Sequence, residues 1–157
     1  MKLHRLLIAA VLTLAFTCTL HCGAQAQPEK GYWRAASNNA ASITGDITIG
    51  DSKLTIDFRA YTLAHIRALK PEEVAAVFDE DVNSAHEGTL YRLIVPAQTR
   101  LLHRNTLCGS DDTQWMATYL SGKTLQVAFF SGEDTPVFTI DAISSSQRVC
   151  GTYTFVR

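Results

Sequence analysis

The chain lacks most of the short patterns that announce a chemistry. There is no Gly-x-Ser-x-Gly elbow, no glycine-rich loop to cradle a phosphate and no Ser-x-x-Lys, so nothing local argues for a nucleophilic or nucleotide-dependent enzyme. No Asp-x-Asp-x-Asp-Gly loop offers the six to eight oxygens that calcium requires. His65, His86 and His103 share no metal-binding spacing, and no metal or cofactor is expected. Lysine and arginine never form a run. With 14 basic and 15 acidic residues the formal charge is −1, which disfavours nucleic acid as a partner. At 46% hydrophobic and 18% charged, the composition also excludes a disordered tail or a coiled coil.

The first 26 residues have a distinct logic. Met1-Lys2-Leu3-His4-Arg5 is a short cationic start, Leu6 to Leu20 is uncharged, and Ala24-Gln25-Ala26 places small residues at −3 and −1 of a cleavage site before Gln27. This is the layout of a secretory signal peptide. About 15 apolar residues are too few for a bilayer core that needs roughly 20, so no transmembrane span is expected after cleavage. Thr17 before Cys18 and His21 before Cys22 suit lipidation poorly. The expected mature protein is one domain, residues 27–157, periplasmic or secreted. Losing Lys2 and Arg5 moves the formal charge from −1 to −3.

Of four cysteines, Cys18 and Cys22 fall in the signal segment, leaving Cys108 and Cys150. An oxidising compartment and the absence of a Cys-x-x-Cys spacing predict a structural disulfide between them.

Period-two alternation dominates the rest. Ile43, Gly45, Ile47 and Ile49 share one face; Leu54, Ile56 and Phe58 share another, with the Gly50-Asp51-Ser52 turn between. That pattern predicts a hairpin. Further strands are expected over Leu90–Val95, Arg100–His103, Gln114–Leu120, Leu125–Phe130, Pro136–Ile140 and Val149–Val156. Pro71 to Phe78 breaks the pattern: proline opens it, Glu72 and Glu73 suit the positive end of a helix dipole, and Val74, Val77 and Phe78 recur at i, i+3, i+4. It predicts the only helix. Two strands, around Met116 and Leu120 and around Ala128 to Phe130, are apolar on both faces, which fits either a ligand cavity or a helix packed over the sheet. The expected fold is a small antiparallel β-barrel of about eight strands, with a β-sandwich as the alternative.

Carboxylates are the remaining candidates for binding. Residues 72–87 hold six acids and no lysine or arginine, including Asp79, Glu80 and Asp81 after the helix. Asp111 and Asp112 follow Cys108 in a loop that a disulfide would stiffen. Both groups can be solvated surface or can dock a cationic partner. In size, export signal and strand richness the chain resembles the exported bacterial inhibitors of lysozyme, which are small disulfide-tied β-barrels. The resemblance implies a fold and carries over no residue. The expected function is an exported inhibitor or immunity protein that blocks a cell-wall or membrane-active enzyme through acidic loops. A lipocalin-like carrier of an apolar ligand is the alternative, and a small hydrolase comes last.

Overall fold

A computed structural model describes residues 29–157, so the predicted signal segment and its cysteines lie outside the described residues. Nine strands form one antiparallel sheet: β1 (Gly31–Ala35), β2 (Ile47–Ile49), β3 (Lys53–Ile56), β4 (Arg59–Thr62), β5 (Ala64–Leu69), β6 (Gly88–Val95), β7 (Thr113–Ser121), β8 (Thr124–Ser131) and β9 (Val149–Val156). Their order is β4-β3-β2-β1-β9-β8-β7-β6-β5. Two meanders, β1 to β4 and β5 to β9, meet where Arg34 and Ala35 pair with Val156 and Phe155.

The sheet is not a closed barrel. Its edges, β4 and β5, are consecutive in the chain and joined through Leu63, but no ladder pairs them. Residues 59–69 form one extended run that changes partner: its first half bonds β3 and its second half bonds β6. Leu63 marks the change, with its N–H donating to the Ser52 carbonyl at 2.9 Å and its side chain buried. That split accounts for nine strands where about eight were expected.

Both faces of β7 and β8 are buried, for different reasons. The inner face contributes Met116, Leu125, Val127 and Phe129 to a core that also holds Trp33, Tyr91, Tyr153 and Phe155. On the outer face, Trp115, Ala117, Tyr119, Ala128 and Phe130 are covered by helix α1 (Pro71–Phe78) and by Phe138. Val74, Val77 and Phe78 face that surface, and Phe78 stacks on Tyr119 at 6.1 Å. Each such side chain contributes about 1.5–3 kcal/mol of burial. The helix therefore lies over the outer face near one end of the sheet. Glu73 fixes its start: the carboxylate accepts two hydrogen bonds from Arg67 on β5, both at 2.7 Å, and one from the Lys70 N–H at 2.9 Å.

Two expected strands are absent from the fold and a third is shortened. Ile43 belongs to a π-helical turn, Ala40–Thr44, so β2 starts only at Ile47. Leu102–Arg104 is a single 3-10 turn in a loop that buries Leu101 and Leu107. Residues 136–139 run irregularly into a second short helix, α2 (Ile140–Ser145), capped by the Thr139 hydroxyl accepting from the Ala142 N–H at 3.3 Å. In each case, apolar residues anchor a connection, and anchoring needs no strand period.

Cys108 and Cys150 form the disulfide, with Cα atoms 4.7 Å apart. It ties the β6–β7 connection to β9. Closing a span of 42 residues limits the unfolded chain by about 4 kcal/mol. Replacing both cysteines by serine should lower the urea-unfolding free energy by that order, at an intact N-terminal sequence; an unchanged midpoint would show that the cross-link is dispensable.

A second expectation concerns acid. The Arg67 guanidinium, followed by the Lys70 N–H, holds the Glu73 carboxyl below its ordinary value of 4.5 against the opposing effect of burial. A carboxyl depressed by folding stabilises fully above its unfolded pKa, and that contribution fades as pH falls through the lower folded value. Melting temperature should thus drop less steeply between about pH 5 and pH 3 in Glu73→Gln than in the parent. Parallel acid limbs would mean that the pair contributes nothing.

Candidate functional site

The antiparallel registers sort the connections into two ends. One end carries the β1–β2 connection, the β3–β4 turn, and the long connections at 96–112 and 132–148. The other carries α1, the turns at 50–52 and 121–123, and the start of the described chain at Glu29.

At the first end, backbone strain is concentrated. Ile56 pairs with Arg59, so Asp57 and Phe58 are the two central residues of the β3–β4 turn, at φ 47° and 61°. Two successive positive φ values are the mark of a type I′ turn, which ordinarily uses Asn-Gly or Asp-Gly. Phenylalanine is a poor choice here on steric grounds, and its ring is 100% exposed. Neither backbone preference nor burial explains it. In the 96–112 connection, His103 and Arg104 also sit at φ 52° and 62°. Four of the five non-glycine residues with positive φ among the described residues therefore gather at this end; the fifth, Asp79, caps α1.

The surroundings hold the turn in place. Arg59 donates to the Arg100 carbonyl, and Asn105 donates through Nδ2 to the Ser42 carbonyl at 3.0 Å. Gly45 ends the π-helical turn at φ 61°, and a Cβ there would meet Leu102 Cδ1 at 2.9 Å, so this crossing requires glycine. Between these elements lies a groove of about 340 Å³ on the outer side of β1 to β3, lined by Tyr32, Asp46, Thr48, Thr55, Asp57 and Phe58 and closed by Leu102. Asp46 is oriented from two sides: Oδ2 accepts from the Tyr32 hydroxyl, and Oδ1 accepts from the Ala35 N–H at 2.9 Å. Those two bonds hold its carboxyl below the usual carboxylate range, while the same Tyr32 bond raises the phenol.

The sequence-predicted carboxylates split between the two ends. Asp112 accepts from the Ala97 N–H at 2.8 Å, and Asp111 is exposed beside it, both at the end that carries Phe58. Asp79, Glu80 and Asp81 lie at the other end. There Glu80 accepts from Gln126, and Asp81 Oδ1 accepts from the Asn83 N–H and side-chain amide, both at 2.9 Å. Gln126 is paired with Tyr119, seven residues along from Asp112, which separates the groups by roughly 20 Å at the strand rise. The five acids do not form one patch.

A buried carboxylate also emerges that no pattern announced. Glu29, 5% exposed, enters the core from the second end, where Oε1 accepts from the Tyr91 hydroxyl at 2.8 Å and from Thr118 Oγ1 at 3.3 Å. Its carbonyl accepts from Trp33 Nε1 at 2.7 Å, and Arg157 lies over the Trp33 ring at 4.0 Å. Burial first, then the Glu29 charge, pushes the Tyr91 phenol far up. Enclosed in this way, the carboxylate anchors the segment that leads into β1 and is closed to a substrate. Among the described residues no histidine is hydrogen-bonded to a serine and a carboxylate.

No protein-family model, curated protein or solved structure matches this chain. The chemistry of the end that carries Phe58 must therefore be read from its own residues. Left-handed backbone costs a non-glycine residue roughly 1–2 kcal/mol, partly offset by glycine's greater freedom when unfolded. Phe58→Gly should accordingly raise the unfolding free energy by about 0.5–1 kcal/mol in urea titrations. A clear loss of stability instead would mean that the ring is packed and not presented.

Proposed function

We propose that the protein is an exported binding module of the inhibitor or immunity type, docking a cationic protein partner with the end of the sheet that carries Phe58, Asp111 and Asp112. The observation behind this reading is Phe58, a large apolar ring held fully exposed by a turn that pays a conformational penalty to hold it. Solvent gives no reason for such a choice. A partner cleft does, since burying a phenylalanine contributes about 1.5–3 kcal/mol, enough for an interface anchor. The single cross-linked domain supplies a rigid base, and rigidity lowers the entropy cost of association. Export follows from the segment at 1–26, and an oxidised Cys108–Cys150 pair suits that compartment.

A carrier has less support. The inner face is occupied by Trp33, Tyr91, Phe129, Tyr153 and Phe155, each at most 2% exposed, where a ligand-binding barrel keeps space. The resemblance to lysozyme inhibitors stays an analogy of size, export and β content.

The test uses the purified mature protein carrying a photo-crosslinking phenylalanine at position 58 or, as control, at Lys123, mixed with periplasmic extract and purified wall hydrolases. One discrete adduct is expected at 58 and none at 123. Phe58→Ser should weaken the captured pair at least tenfold, about 1.4 kcal/mol, and Asp111→Lys with Asp112→Lys should weaken it most at low salt. Binding that survives these changes but is lost on Asp79→Lys with Asp81→Lys would move the docking face to the other end. The absence of any discrete adduct would overturn the reading.

A further inference from the structure

We infer that the groove between Tyr32 and Phe58 is a socket for one basic side chain, a guanidinium in preference to an ammonium, projecting from the protein partner. This rests on the binding-module reading and adds what the partner must present beside the cleft that takes Phe58.

Charge complementarity selects the occupant. Asp46 and Asp57 both line the groove, and no lysine, arginine or histidine is among its lining residues. Two arginines of this end are engaged elsewhere: Arg59 donates to the Arg100 carbonyl, and Arg100 donates to the Ala97 carbonyl at 3.1 Å. Arg34, on the same strand as Tyr32, lowers the Asp46 carboxyl slightly through its charge, after the Tyr32 and Ala35 bonds. Aromatic surface completes the chemistry. Phe58 is wholly exposed and Tyr32 is 57% exposed, so both rings are accessible to a cation. Thr48 and Thr55, paired across β2 and β3 on the outer side, form the floor and offer hydroxyls.

Geometry favours arginine. Asp46 is fixed by Tyr32 and the Ala35 N–H, and an anchored carboxylate suits the planar donor fork of a guanidinium. A guanidinium also stacks on aromatic rings and sheds water more readily than an ammonium does. A neutral ligand of the same shape brings no charge to Asp57 and adds none to the partners Asp46 already has. An acidic ligand is repelled.

The experiment is a ¹H–¹⁵N chemical-shift titration of the mature, disulfide-bonded protein with N-acetyl-arginine amide, against N-acetyl-citrulline amide as the neutral isostere. Arginine amide should give saturable shifts confined to the amides of Tyr32, Asp46, Thr48, Thr55, Asp57 and Phe58, with citrulline amide at least fivefold weaker. Asp57→Asn, which leaves the bonds of Asp46 intact, should weaken arginine amide at least threefold, and Asp46→Asn should do so further where its spectrum stays dispersed. Equal shifts from citrulline amide would reduce the groove to an apolar recess and overturn the proposal. So would shifts centred on Asp79 to Asp81, which mark unspecific attraction to acids. Shifts of the groove amides that depend on protein concentration without additive would assign the groove to a second copy of this chain, and would equally overturn it. Failure here is separable from failure of the docking reading: a partner cross-linked at position 58 together with equal arginine and citrulline shifts rejects the socket alone. An arginine-specific groove with no adduct at 58 rejects the protein partner alone.

Discussion

The last strand is the constraint on which everything else depends. β9 pairs with β8 along most of its length and with β1 near its end, so it alone makes one sheet from two meanders. Cys150, in the same strand, holds the connection that crosses from β6 to β7. Tyr153 and Phe155 fill the inner core from it, and Tyr153 meets Phe129 edge-on at 5.3 Å. Burial pushes the Tyr153 phenol up to about 12, so it stays neutral and the core carries no charge there. Remove β9 and β1 to β4 lose the one strand ladder that joins them to the larger meander.

Given that frame, the two ends of the sheet differ in kind. One end is sealed: Glu29 reaches inward to Tyr91 and Thr118, Arg157 covers Trp33, and α1 lies over the adjoining outer face. Glu29, Tyr91 and Thr118 bond one another inside the molecule, and the acids after α1 are engaged with Gln126 and Asn83 or exposed singly. The opposite end is built from long connections pinned at several points, with the disulfide, Asp112 to Ala97, and Asn105 to Ser42 as examples. Pinning lets strained backbone persist at Asp57, Phe58, His103 and Arg104. Strain that is over-determined by its surroundings presents a side chain at a fixed angle, which is what a docking surface needs and a folding core does not.

The strands with strict alternation were legible residue by residue, because burying one face of a sheet leaves a period of two that nothing else imitates. The Gly50 turn, α1 with its three buried side chains, the terminal strand and the disulfide were legible for similarly local reasons. What the pattern misread were apolar residues in connections. Ile43, Leu101 and Phe138 look like strand positions, yet they anchor a π-helical turn, a loop and the approach to α2. Phe58 failed in the opposite sense. It continues the register of Leu54 and Ile56 and so reads as buried, but the chain reverses at Asp57-Phe58 with neither glycine nor asparagine to announce a turn.

By itself, then, the sequence determined the content of this protein: an antiparallel, strand-rich domain with one covering helix and one cross-link, because periodicity, capping and a lone cysteine pair are properties of neighbours along the chain or of simple counting. Only the tertiary structure decided that the sheet stays open at Leu63, that the five predicted acids stand at two ends, and that Tyr32, Asp46 and Phe58 share a groove. Those facts depend on which strands pair and in what register. Register is set by the summed packing of both faces across distant segments, and no window of the sequence contains it.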